Sequence, residues 1–416
     1  MSLAVSGALL DGRSVGLRAE DGLIAELGPG VAPRDGDELL DAGQMALVPG
    51  LVNAHTHAAM TLFRGYGDDL PLMQWLETKI WPVEARLDGE DVYWGTRLAC
   101  VEMIRSGTVR FWDMYWQPDA TARAVEDAGL RATIGAPLID HGDPARRDEL
   151  ERAALDSVEP LVGRERIAAA LAPHAIYTVS EPSLRWIGEQ SEARELPIQI
   201  HLSETEDEVA DCIRDHGARP VAYLDELGLL GPRTLLAHAV WLDDAELDLV
   251  AERGATLVTN PVANLKLAVG RVFGFLAARG RGIPVGLGTD GAGSNNSLDL
   301  LSDVKVFALL QKHEARDAAA VPAAVAWDVV TGRCAPLLGA SARLEPGEPA
   351  DFLLVRTDSP QLSLGELVPN LVYAASGAVV DTTVVAGRVL MRGGVVEGAD
   401  EVRERAVERA RGLGLA

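Results

Sequence analysis

Ala46-Leu47-Val48-Pro49-Gly50-Leu51-Val52-Asn53-Ala54-His55-Thr56-His57 is the stretch on which the fold turns. An apolar run of this kind predicts a buried strand over Met45–Val52. Just beyond it stand His55 and His57, and i, i+2 spacing sets both imidazoles on one side of an extended chain. Two imidazoles on one face can grip one cation. An isolated His-x-His is equally compatible with an ordinary pair of core or surface histidines, so the rest of the chain has to decide.

Further along, short apolar runs alternate with segments of helical period. Candidate strands are Thr108–Met114, Arg131–Leu138, Ile167–Ala172, Pro197–Leu202, Thr234–Ala237, Ala255–Thr259 and Pro284–Gly288. Between them lie candidate helices at Asp91–Ser106, Thr121–Ala128, Glu181–Ala193, Glu206–Asp215, Asp243–Arg253 and Leu298–Ala315, several starting after Asp, Thr or Glu and ending near Gly. This βαβ alternation predicts an α/β fold whose parallel strands close into a barrel over residues 50–345. The flanks, 1–49 and 346–416, read as short β pieces split by turns such as Asp11-Gly12, Asp21-Gly22 and Arg392-Gly393-Gly394, and are expected to build one small β-sandwich from both ends.

Chemistry in such a barrel sits at the C-terminal strand ends. Polar residues there are His55, His57, Asp113, His174, His201, His238, Asn260 and Asp290. Imidazole nitrogens with one carboxylate suit zinc or ferrous iron, and chance would scatter such residues rather than collect them at strand ends. Glu204, three residues past His201, is placed to carry protons for a water nucleophile; its neighbours Glu206, Asp207 and Glu208 fit the simpler role of helix N-terminal acids. His216 and His313 fall in helical segments and match no motif, while His141 lies in a loop that follows the third barrel strand.

Composition narrows the partners. The 416 residues include 62 acids against 38 bases, a formal charge of -24, which repels nucleic acid and anionic membranes and favours a small substrate. With no long apolar span and no basic leader followed by an apolar run, the sequence is expected to be cytoplasmic; a homo-oligomer is compatible with it. Cys100, Cys212 and Cys334 form no C-x-x-C pair and are expected in the core.

Asn53–Gly65, His201-Leu202-Ser203-Glu204-Thr205, Asn260–Leu267 and Gly288–Asn296 together resemble the amidohydrolase superfamily, and within it the 5'-methylthioadenosine/S-adenosylhomocysteine deaminase branch, over nearly the whole chain. The resemblance implies a deformed (β/α)8 barrel and one divalent ion, Zn2+ ahead of Fe2+ or Mn2+, held by His55, His57, His201 and Asp290. The fourth barrel strand ends Ala172-Pro173-His174, without the carboxylated lysine of binuclear relatives. It further implies deamination of an adenine nucleoside at C6: Asp290 takes a proton from the attacking water, Glu204 protonates N1, His238 steadies the oxygen, Glu84 accepts from ribose hydroxyls and His174 touches the purine. The zinc deaminases of the H-x-E/P-C-x-x-C type do comparable chemistry, and that motif is absent here.

One departure bears on substrate. Relatives that handle S-adenosylhomocysteine carry an arginine after the third barrel strand where this chain has Ala136, leaving Arg146 or Arg147 as the cation for a carboxylate; Arg147 is the candidate. Expected substrates are therefore 5'-methylthioadenosine, adenosine and 5'-deoxyadenosine, with S-adenosylhomocysteine weaker. Two other functions fit the same scaffold: action on another aminated or chlorinated ring (guanine, cytosine or triazine), and an inactive barrel kept as a binding protein.

Overall fold

Strands made almost wholly of apolar residues need cover on both faces, and that need organises the middle of the chain. The computed structural model describes residues 2–339 and 343–415. It opens with β1 (Ser2–Leu10), β2 (Arg13–Glu20), β3 (Leu23–Gly28), β4 (Glu38–Asp41) and β5 (Ala46–Pro49). There follow β6 (Leu51–Thr56), β7 (Thr108–Met114), β8 (Arg131–Leu138), β9 (Ile167–Pro173), β10 (Ile198–Leu202), β11 (Thr234–His238), β12 (Thr256–Thr259) and β13 (Val285–Leu287), then β14 (Phe352–Val355), β15 (Val380–Val385) and β16 (Arg388–Met391).

β6 to β13 form an eight-stranded parallel sheet in simple chain order. Side chains two apart on each strand, such as Val52 and Ala54 or Leu235 and Ala237, fill its interior together with Trp112, Ala170 and Val258. The opposite faces pack on the surrounding helices. β13 returns beside β6 without a regular ladder: Asp290 N–H donates to the His55 carbonyl at 3.1 Å, and the Asn53 side chain bridges to Thr289 N–H (3.0 Å) and Oγ1 (2.7 Å). The result is a deformed (β/α)8 barrel, closed at the strand ends that carry the histidines.

The single strand expected over Met45–Val52 is two strands in two sheets. β5 pairs with β14, and β6 with β7. The break falls at Pro49-Gly50, where a Cβ on Gly50 would stand 2.4 Å from both methyls of Val109. An unbroken apolar run hides that division, since both halves are equally buried. β1 to β5 and β14 to β16 make the second, mixed sheet from both ends of the chain, wrapped around Leu3, Leu17, Ile24, Leu47, Phe352 and Leu354.

The C-terminal flank is not all β. Leu367–Tyr373 is a helix against the barrel helices Leu300–Ala315 and Ala323–Val330, and Ala399–Leu413 is a helix lying along Gly89–Ser106. The second buries Val402, Ala406 and Ala410, a stripe at i, i+4, i+8 too small in volume to stand out among charges, and Arg409 pins it to Asp88 and Asp91. Of the cysteines, Cys100 and Cys212 are buried and Cys334 is exposed, against the expectation that all sit in the core. Among the described residues no helix is long and apolar enough to cross a membrane.

Candidate metal centre and substrate pocket

The histidines reach the barrel mouth by a few local devices. His55 is the penultimate residue of β6, buried with neither ring nitrogen hydrogen-bonded. His57 follows the strand; its Nδ1–H donates to the Met114 carbonyl at 2.6 Å, which turns Nε2 inward. His201 does the same through Nδ1–H to the His174 carbonyl, at 2.8 Å. His238 and Asp290 hold left-handed backbone (φ 69° and 60°), as does Ser203 (φ 51°). Such conformations cost roughly 1–2 kcal/mol apiece in non-glycine residues, and they gather here because they aim side chains across the barrel axis.

The inward atoms converge. His57 Nε2 lies 3.3 Å from His201 Nε2 and 3.2 Å from Asp290 Oδ1, and His55 Nε2 is 3.6 Å from the same oxygen. Ligands at about 2.0–2.1 Å around a tetrahedral Zn2+ are separated by roughly 3.3–3.4 Å, so the donor set has the spacing of one such ion. The atoms that His55, His201 and His238 offer also lie within 4.8 Å of one another. Ser294 Oγ donates to Asp290 Oδ2 at 2.5 Å, leaving Oδ1 for the centre.

Electrostatics favour ligation. Burial drives His55 down to about 4, and His201 well below its ordinary value. Both rings are thus neutral, the form that binds a cation. Burial also acts to lower His57, but the Asp290 carboxylate outweighs it and holds the group at about 9. Burial would raise Asp290, yet its contacts with His55 and His57 keep it well below the carboxylate range. With Nδ1–H committed to carbonyls, the facing Nε2 atoms of His57 and His201 and the nearby Asp290 Oδ1 are left to share either a proton or a metal ion, and an ion that binds there displaces the His57 proton.

A cavity of about 700 Å³, its mouth included, opens from this centre and is walled largely by apolar residues, among them Met60, Trp75 and Ile80. Glu204, His238, Glu84 and His174 all line it. Glu204 is 5% exposed with Oε1 unpartnered, and burial raises its pKa, favouring the protonated acid. His238 is fixed by Asn264 Oδ1, 2.8 Å from its Nδ1. Burial likewise raises Glu84, which stands on the short helix Trp81–Glu84. Burial takes His174 down to about 3, with its Nδ1 against Thr178 Oγ1 at 3.0 Å.

Other expectations fare differently. Asp113 lies under the site, its Oδ1 accepting from Ala58 N–H at 2.6 Å, so it shapes the turn after His57. Asn260 is fully buried behind His238, with Nδ2 3.4 Å from His238 Nδ1. Arg147 turns away, pairing with Asp148 (3.6 Å) and Glu151 (3.8 Å), whereas Arg146, Ala136 and His141 line an adjoining cavity that continues past Glu84. Arg146 rather than Arg147 therefore lines that adjoining cavity. Tyr115 and Trp116 also wall the pocket; they directly follow β7, and a search of strand ends for aromatic residues finds them.

Close packing at the seam has a measurable consequence. A Cβ on Gly288 would lie 2.3 Å from Asn260 Oδ1 and 2.8 Å from the His55 carbonyl. Gly288→Ala is expected to lower the unfolding free energy by about 1–3 kcal/mol and to weaken metal retention; unchanged denaturant midpoint and metal content would contradict this tight closure.

A parallel barrel whose strand ends present three or more imidazoles and a carboxylate to one point defines a metal-dependent hydrolase. The chain belongs to the amidohydrolase family, whose model matches residues 46–390. It is 48% identical over 373 residues (89% of this chain, 84% of the other) to the 5'-deoxyadenosine deaminase of Methanoregula boonei. It is 43% identical over 404 residues (95% and 94%) to the 5-methylthioadenosine/S-adenosylhomocysteine deaminase 1 of Archaeoglobus fulgidus. Among solved structures it resembles a zinc-bound adenosine deaminase from Xanthomonas campestris, with a TM-score of 0.89 and 32% identity over 100% of this chain and 98% of the other.

Proposed function

We propose that this protein is a metal-dependent deaminase of adenine nucleosides, converting 5'-deoxyadenosine, 5'-methylthioadenosine or adenosine and water into the inosine analogue and ammonia. The observation that carries the proposal is Glu204: a buried acid whose Oε1 makes no hydrogen bond and lies 3.5 Å from His238 Nδ1, beside the donor set and in a pocket that Glu84 also lines. Relatives named for these substrates, at 43–48% identity, support it.

His55, His57, His201 and Asp290 would hold one divalent ion, most favourably Zn2+. When bound, such an ion acidifies water and so supplies a nucleophile near neutral pH. Asp290, held ionised, accepts the proton that the water gives up as it adds to C6. Glu204, whose protonated form burial favours, delivers a proton to N1 and so makes C6 electrophilic. His238 orients the incoming oxygen by hydrogen bonding. Proton return to the exocyclic nitrogen expels ammonia. Glu84 accepts from the ribose hydroxyls, and His174 packs at the purine edge.

Ultraviolet monitoring of adenine-to-hypoxanthine conversion tests this across adenosine, its 5'-deoxy and 5'-methylthio forms and S-adenosylhomocysteine. Turnover is expected with the first three. Because Ala136 supplies no cation for an amino-acid carboxylate, kcat/KM for S-adenosylhomocysteine is expected to fall at least about tenfold below that for 5'-methylthioadenosine, the worth of one charge-assisted contact. An equal or higher value would overturn this preference.

A further inference from the structure

Glu208 is the third residue of the helix Glu206–His216, a position where an acid is ordinarily a solvated partner of the helix N-terminus. Glu206 and Asp207 fit that description and are exposed; Glu208 is 6% exposed. Its carboxylate accepts the N–H groups of Ser203 and Glu204, one on each oxygen, both at 2.8 Å. Its own N–H donates to Thr205 Oγ1 at 3.2 Å.

The backbone explains the grip. Ser203 is left-handed, so successive N–H groups turn toward one side and make a small anion-binding concavity. The Ser203 carbonyl is taken from the other direction by the N–H groups of Val240 (3.0 Å) and Trp241 (2.9 Å), in the loop that follows His238. Glu204 is thus clamped by its main chain, while its Oε1 has no hydrogen-bond partner. A carboxyl that must stay free to meet a substrate ring has to be aimed through its backbone.

We propose that Glu208 is the positioning residue of the proton carrier: it fixes the Ser203–Glu204 hinge so that the Glu204 carboxyl points into the pocket. This rests on the deaminase function proposed above. Glu208→Gln keeps one carbonyl acceptor but turns an NH2 toward the other amide. It is expected to lower kcat about 10- to 100-fold, the cost of misplacing a catalytic group by a fraction of an ångström to an ångström, with KM within threefold and metal content unchanged. Glu208→Asp, charged but one methylene short, is expected to do the same.

A kcat within twofold of the unaltered enzyme in either variant would overturn the proposal. So would a loss of kcat that tracks loss of metal, which marks a merely structural role. Should neither variant fold, hydrogen exchange in the unaltered protein decides: the Ser203 and Glu204 amides are expected among the slow-exchanging set, and exchange at exposed-loop rates would overturn the clamp. If the unaltered enzyme turns over no nucleoside in the same assay, the functional proposal falls instead, and the exchange rates still judge the grip of Glu208.

Discussion

Glu204→Gln is expected to retain its metal and lose its turnover, with kcat reduced about 10²- to 10⁴-fold, the usual contribution of a positioned general acid. That corresponds to roughly 3–5 kcal/mol of transition-state stabilisation. The amide preserves the shape of the side chain and can still donate a hydrogen bond to a ring nitrogen, but it cannot release the proton. Glu204 belongs to neither group of converging metal-ligand candidates, so metal content should match that of the unaltered enzyme. The measurement is kcat by ultraviolet absorbance alongside elemental analysis of the purified variant. Residual kcat within tenfold would remove Glu204 from proton transfer, and loss of metal would make it a ligand.

Asp290→Asn should fail earlier in the chain of causes. Asp290 Oδ1 lies within 3.6 Å of both His55 Nε2 and His57 Nε2 and is the anionic member of the donor set. Its amide replacement takes negative charge from a buried site built for a cation and removes the base expected to accept the proton of water. Turnover should drop more than about 10³-fold, since ligand and base are lost together. Metal should dissociate during dialysis that leaves the unaltered enzyme loaded. An ion at 100 times its Kd stabilises a fold by about 2.7 kcal/mol, so added Zn2+ should raise the Tm of the metal-free unaltered protein and leave that of Asp290→Asn nearly still. An equal zinc-induced shift in both proteins would refute the ligand assignment of Asp290.

Much of the barrel was legible along the chain. The strands that carry His201, His238 and Asp290 end within a residue or so of where the apolar runs end, because a strand buried on both faces must be apolar until it leaves the sheet. Helix starts were legible to within a residue or two: Asp243, the expected first residue, caps Asp244–Arg253, whereas the helix expected from Asp91 begins at Gly89 because Asp88 and Asp91 form a capping box there. What misled was burial shared by two sheets, as at Pro49-Gly50, and burial achieved with alanine, as in Ala399–Leu413, since neither leaves a contrast in hydrophobicity to read.

Within the site, residue types announced themselves but their directions did not. His55, His57, His201, Glu204, His238 and Asp290 could be singled out because imidazoles and carboxylates are rarely set at the lips of apolar strands without a chemical reason. Arg146 and Arg147 are adjacent and identical in type, and only the course of the helix Arg147–Val158 turns one toward the cavity and the other toward Asp148 and Glu151. Glu206, Asp207 and Glu208 form one acidic run, and only the left-handed turn at Ser203 brings two N–H groups under the third of them.

By itself, then, the sequence determined the barrel, the second sheet drawn from both ends and the set of groups available at the strand ends, because hydrophobic period and side-chain chemistry are properties of the chain. The tertiary structure decided which of those groups share a centre, which amide or carbonyl aims the rings of His57, His201 and His238, and which of two like neighbours lines the cavity. Those depend on distances between residues as far apart as Asn53 and Thr289, set by barrel closure and by a few strained backbone angles, and no local pattern encodes them.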